Sequence, residues 1–115
     1  MIKMNANKEH FLNLSKKVTL VTGANGQIGL TLINKLLQYK AKVIAIDIKV
    51  SNILKLKKNK VISDSELLIV KCDIRNSREI KQAYKKGINK FKFIDSLICN
   101  AGTAVFENFS ERDNK

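Results

Sequence analysis

The stretch Thr22-Gly23-Ala24-Asn25-Gly26-Gln27-Ile28-Gly29 decides the fold. An apolar run, Val18-Thr19-Leu20-Val21, precedes it and reads as a short buried strand. Ile28, Leu32, Ile33, Leu36 and Leu37 follow at helical spacing and read as the inner face of a helix that runs to about Tyr39. Strand, glycine-rich turn and helix in that order make a phosphate cradle. Glycine lets the backbone turn tightly and come close to an anion, and the helix N-terminus presents unpaired N–H groups to it. Three glycines at this spacing also arise by chance, so the reading depends on what stands downstream.

Lys40-Ala41-Lys42 is long enough only for a turn, and Val43-Ile44-Ala45-Ile46 reads as a second buried strand ended by Asp47. Asp47 stands 18 residues beyond Gly29. At that distance a carboxylate can accept hydrogen bonds from both hydroxyls of an adenosine ribose, and it repels a 2′-phosphate. This favours NAD over NADP, although the neighbouring Lys49 offsets part of the repulsion. The plainer alternative is an aspartate in an ordinary strand-to-loop turn.

Ile53, Leu54 and Leu56 among lysines predict a short amphipathic helix, with loop from Asn59 to Glu66. Leu67-Leu68-Ile69-Val70 predicts a third buried strand, closed by Lys71-Cys72-Asp73-Ile74. Asn76 or Ser77 can cap a further helix, with Glu79 in its first turn and Ile80, Ala83, Tyr84, Ile88 and Phe91 in helical period. Ser96 to Cys99 predicts a fourth strand, and Asn100-Ala101-Gly102 the turn after it. Strands alternating with helices imply an α/β parallel sheet, in the order 3-2-1-4, with ligand-binding turns at the carboxyl ends of strands one and four.

Composition bounds the function classes. The 115 residues suit one domain, and no apolar run is long enough for a membrane helix. Residues 1–15 read as a polar leader without the apolar centre of a signal peptide, so a cytoplasmic location is expected. Cys72 and Cys99 have neither CxxC spacing nor adjacent histidines and read as reduced thiols in or near the core. The single histidine, His10, lies in the leader, and no metal site is expected. The net charge of +12 raises nucleic acid as a partner. No nucleic-acid motif is present and few aromatics interleave with the lysines, so the charge reads as a solvated surface favouring anionic ligands such as a dinucleotide.

Four features in register now resemble one family: the glycine turn, Asp47, Cys72-Asp73-Ile74, and Cys99-Asn100-Ala101-Gly102 preceded by the Phe91-to-Ile98 segment. Together they are similar to the N-terminal half of the short-chain dehydrogenase/reductase family, from about Lys16 to the end. The resemblance implies a doubly wound Rossmann-type sheet, truncated after strand four, and a partial NAD(P)-binding domain over residues 16–115. It implies that Gly23, Asn25, Gly26, Gln27, Ile28 and Gly29 form the pyrophosphate and nicotinamide side. Asp47 would hold the adenosine ribose, Asp73 and Ile74 would flank the adenine, and Asn100, Ala101 and Gly102 would pack under the nicotinamide ribose. The Asp73 carboxylate would accept from the adenine amine, and Asn100 can lock the strand-four turn through side-chain bonds to backbone.

Two departures matter. Glycines at the first, fourth and seventh positions of the turn look more like extended members acting on nucleotide sugars, such as epimerases and dehydratases, whereas Asn-Ala-Gly looks classical. The family's chemistry also uses a tyrosine with a lysine four residues later. This chain has Tyr39 and Tyr84, followed at that distance by Val43 and Ile88. No catalytic residue is therefore assigned, and the pair is expected beyond Lys115, with the chain stopping in mid-domain. The expectation is an NAD-binding part of an oxidoreductase, with substrate unassigned and strand four an open edge favouring marginal stability or self-association. A non-catalytic nucleotide-binding protein is the reading from a different class.

Overall fold

In a computed structural model, which describes residues 14–101, the chain forms seven elements. They are β1 (Val18–Thr22), α1 (Gln27–Gln38), β2 (Lys42–Asp47), α2 (Ser51–Lys60), β3 (Leu67–Lys71), α3 (Ser77–Phe91) and β4 (Ser96–Cys99). The strands make one parallel sheet in the order β3-β2-β1-β4, as the alternation predicts. The chain therefore steps outward from β1 to β3, and α3 carries it back across the sheet to the far side of β1. Neighbouring connections diverge at the β1–β4 boundary, and a crevice opens at the carboxyl ends of those two strands.

The pleat sorts each strand into two faces. Val18 and Leu20 of β1, Ile44 and Ile46 of β2 and Val70 of β3 pack with Cys72 and Ala83 on the α3 side. Val21, Val43, Ala45 and Leu67 pack with Ala24, Ile33 and Ile53 on the side covered by α1 and α2. A strand buried on both faces reads as a continuous apolar run, which is why these segments stand out in the sequence. Ile33, Ile44 and Ile53 are fully buried, and burial of each contributes about 1.5–3 kcal/mol.

The contact stripe of α3 differs from its predicted one. Ala83 and Gly87 are the buried residues, whereas Ile80 and Tyr84 are 41% and 53% exposed. A Cβ on Gly87 would come within 2.5 Å of Ile44 Cδ1. Small residues let the helix lie close on the sheet, and that moves the larger neighbours to its flanks. The helix begins as expected, with Asn76 Oδ1 accepting the N–H groups of Arg78 and Glu79 at 3.0 and 3.2 Å. The second helix runs to Lys60, slightly past its predicted end.

The β4 strand is the thinnest part of the sheet. Among the described residues it pairs only with β1, and Leu97 and Cys99 are exposed. Cys99 thus lies at the surface rather than in the core, because no described element covers this edge. Asp95 fixes the start of the strand, its Oδ2 accepting the Val18 N–H at 2.7 Å while its own N–H donates to the Val18 carbonyl. The Thr19 and Ser96 hydroxyls join at 2.9 Å.

Helix ends close without glycine. Lys40, Val61 and Lys92 all adopt left-handed backbone after α1, α2 and α3, with φ of 71°, 55° and 79°. After α2 the Val61 N–H bonds to the Lys58 carbonyl and the Ile62 N–H to the Lys57 carbonyl, a pair that satisfies otherwise orphan carbonyls. A β-branched residue is the least suited to this conformation. Val61 is also 88% exposed, so its side chain adds little to packing. Val61→Gly is expected to stabilise the fold by about 1 kcal/mol, measurable as a rise in thermal midpoint.

Candidate functional site

The glycine turn and the turn after β4 meet at the carboxyl end of the sheet. Gly23 has φ of 63°, and a Cβ there would sit 2.7 Å from the Ala101 backbone. The residue must be glycine both for its conformation and for this approach. The Thr22 hydroxyl accepts the N–H groups of Asn100 and Ala101, each at 3.1 Å, and Asn100 Nδ2 donates to the Gly23 carbonyl at 3.0 Å. Asn100 therefore locks a turn as expected, but the turn it grips is the neighbouring one.

The three motif glycines do different work. A Cβ on Gly29 would collide with the Gly23 carbonyl oxygen and lie 2.7 Å from Ala24 Cα, so this glycine serves packing of α1 against the turn. A Cβ on Gly26 would meet only that same oxygen, at an ordinary contact distance of 3.8 Å. Gly26 occupies the N-cap of α1, where no side chain caps the helix. The N-terminus of α3 is capped by Asn76 and that of α2 by Asn25, so α1 is the described helix whose first amides lack such a partner.

Asn25 is where the structure departs from the expected site. Its side chain is turned away from the crevice, and Oδ1 accepts the Asn52 and Ile53 N–H groups at 2.7 and 3.0 Å. Asn52 Nδ2 returns a bond to the Asn25 carbonyl at 3.2 Å. The side chain expected on the pyrophosphate side thus caps α2, whose own N-cap, Val50, has no hydrogen-bonding side chain. The Asn25 N–H donates to Asp47 Oδ2 at 2.9 Å, and the Lys49 N–H donates to Asp47 Oδ1 at 3.2 Å. Since an ionised carboxylate offers about four acceptor positions, each Asp47 oxygen keeps one free.

Two adjoining clefts, of about 400 and 320 Å³, share Gly23, Asp47 and Ala101 in their walls. The first is completed by Gly26, Gln27, Ile28 and Asn100. The second is completed by Ile48, Cys72, Asp73, Ile74 and Arg75. Ile48 and Ile74 are 48% and 39% exposed. Asp73 is gripped by Arg75, whose backbone N–H and Nε donate to Oδ1 at 2.9 and 3.0 Å and whose Nη2 donates to Oδ2 at 3.0 Å. These bonds hold the Asp73 carboxyl below the usual carboxylate range. Burial pushes the Cys72 thiol up, and the Glu79 and Asp73 carboxylates push the same way, so it remains an inert thiol at neutral pH.

The structure thus gathers Gly23, Gly26, Gln27, Ile28, Asp47, Asp73, Ile74, Asn100 and Ala101 around one groove. Gly29 and the Asn25 side chain support it from behind, and Gly102 lies outside the described residues, as does His10. Sequence reading missed three contributors. Thr22 opens the glycine stretch but carries no assigned role there, although a hydroxyl beside a glycine turn is a signal; the structure makes it the last residue of β1. Ile48 and Arg75 stand one and two residues beyond the acids that drew attention, and nothing in spacing alone marks them.

Comparison with known proteins agrees with this architecture. The family model described as short chain dehydrogenase matches residues 17–115. The chain is 28% identical over 102 residues to 15-hydroxyprostaglandin dehydrogenase (NAD(+)) of Rattus norvegicus, an alignment covering 87% of this chain and 38% of that enzyme. Among solved structures, NAD+-bound xylitol dehydrogenase superposes with a TM-score of 0.70 at 27% identity, covering 78% of this chain and 35% of the other. A 4-hydroxyisoleucine dehydrogenase complexed with NADH gives 0.63 at 31% identity, covering 76% and 34%. This chain belongs to the short-chain dehydrogenase family. It spans well under half the length of the relatives it matches. Among the described residues no helix is long and apolar enough to cross a membrane.

Two outcomes test this geometry. Gly29→Ala sets a methyl against backbone that cannot swing aside and is expected to cost at least about 2 kcal/mol of stability, while Gly26→Ala leaves the thermal midpoint nearly unchanged. In an NMR pH titration the Asp73 carboxyl is expected to ionise below about 3.9, the free-aspartate value. The sign follows from the lowered value: the Arg75 pairing is complete above the unfolded chain's pKa and is lost as pH falls through the folded one. Arg75→Gln should move that midpoint upward.

Proposed function

We propose that this chain is the NAD(H)-binding part of a short-chain dehydrogenase, acting in hydride transfer to or from a carbonyl or alcohol substrate. The observation that carries the reading is the pair of clefts joined at Asp47. One cleft is walled by the uncapped amino end of α1 and the other by Ile48, Ile74 and the Asp73–Arg75 pair, with the Asp47 carboxylate where they meet. A dinucleotide has the same order of parts: charged phosphates, a ribose with two hydroxyls, and a flat base. The names of the matched relatives, which carry NAD(+) or NADH, support the same cofactor.

The residues present fit that group. Gly26 leaves open the space that a Cβ would fill, and the first amides of α1 favour an anion there. Gln27 adds a side-chain amide on the same wall. Asp47 has one acceptor position free on each oxygen for the two ribose hydroxyls, and its charge disfavours a 2′-phosphate. Ile48 and Ile74 offer apolar surface to the two sides of the base, and Asp73 can accept from its amine. Asn100 and Ala101 form the floor under the nicotinamide ribose, with Gly102 assigned beside them by the family resemblance alone. When bound, the nicotinamide supplies the hydride donor or acceptor; the chain's own residues bind and orient it.

The domain is assigned to residues 16–115, behind a leader of residues 1–15. Neither Tyr39 nor Tyr84 makes the family's Tyr-x-x-x-Lys motif, so no residue of this chain is assigned to proton transfer.

Titration of the folded chain with NADH, read by nicotinamide fluorescence, is expected to saturate. Asp47→Asn should weaken NADH by about tenfold, as loss of hydrogen bonds to a charged acceptor implies, and should weaken NADPH far less. A folded chain that leaves NADH fluorescence unchanged would remove the reading.

A further inference from the structure

Arg75 belongs to neither buried core cluster. Its side chain is 80% exposed, yet the guanidinium is forked across Asp73 on the wall of the second cleft. The fork, with the Arg75 backbone amide, brings three donors onto one carboxylate: two on Oδ1 and one on Oδ2. With about four acceptor positions on a carboxylate, one remains, and it is on Oδ2. Glu79 Oε1 accepts the Asp73 N–H at 3.2 Å, so the backbone of Asp73 is held from the other side.

We propose that Arg75 is a positioning residue that sets base specificity: by fixing Asp73 with a single free acceptor, it makes this cleft select a purine bearing an exocyclic amine over one bearing a carbonyl. The inference rests on the dinucleotide reading above and extends it. A carboxylate that is free to turn can rotate away from a carbonyl oxygen, or take a proton and donate to it. Pinned by Arg75, the same carboxylate can do neither. An amine finds an acceptor there, whereas a carbonyl at the same ring position meets a second oxygen, and the N–H that such a purine carries at the adjacent N1 is met only by a carboxylate that can turn toward it. Three guanidinium N–H groups stay outside the fork, and if these faced the base instead, the preference would run the other way.

The test compares NADH with reduced nicotinamide hypoxanthine dinucleotide, which carries a carbonyl in place of the adenine amine and a hydrogen on N1. Both are titrated by fluorescence into the full chain and into Arg75→Gln and Arg75→Lys. The chain is expected to bind NADH about tenfold more tightly than the hypoxanthine analogue. Both variants should bring that ratio toward unity with thermal midpoints unchanged, because lysine keeps the charge but cannot make the fork. An unchanged ratio in Arg75→Gln, with NADH still bound, overturns the role of Arg75 and leaves the dinucleotide reading intact. Retention of the full ratio by Arg75→Lys, or a preference for hypoxanthine, overturns it as well. Binding of neither compound by the folded chain overturns both readings together.

Discussion

The structure depends on the close approach of two backbone turns at the carboxyl ends of β1 and β4. A side chain on Gly23 would occupy space held by Ala101, so the turns can meet only through bare backbone. Once they meet, the Thr22 hydroxyl satisfies two amides of the second turn and Asn100 satisfies a carbonyl of the first. These bonds matter more here than they would in the middle of a sheet. The β4 strand has one described neighbour and little cover, so its position is set by β1 and by the contacts at its two ends.

From that junction the rest of the groove is placed by strand register. Asp47 ends β2 opposite Lys71 of β3, and Cys72 to Arg75 follow directly. Residues that are distant in sequence therefore arrive side by side because parallel strands bring all their carboxyl ends to one edge. The Asp47 carboxylate then links the layers, taking an amide from the glycine turn and another from its own loop. Each acid in the groove is partly occupied by the protein itself, so the acceptor positions that remain are few and directional.

Much of this was legible in the sequence. Three apolar runs of β-branched and aliphatic residues mark β1, β2 and β3, because burial on both faces leaves no alternation to blur them, whereas the exposed β4 is marked chiefly by the Asn-Ala-Gly turn after it. Val18 to Val21 and Leu67 to Val70 are such runs. Asp47, Asp73 and Ile74 were legible because they follow strand ends at fixed distances. What escaped was the direction of side chains. Asn25 looked like a groove residue from its place in the turn, but an unsatisfied helix start nearby, at α2, draws its oxygen the other way. Tyr84 has the right period for the inner face of α3, yet Gly87 lets the helix settle on its small residues instead. Arg75 escaped because an arginine two residues beyond an aspartate has no meaning until the turn folds it back.

The bond from Asn25 to the start of α2 makes that helix a reporter on the groove. The amides of Asn52 and Ile53 end on a side chain whose own backbone N–H rests on Asp47. Any occupant that stiffens Asp47 and the glycine turn must also slow the opening of these two amides, which line neither cleft. Their hydrogen–deuterium exchange therefore carries news of events at the carboxyl edge of the sheet into a helix that meets no ligand.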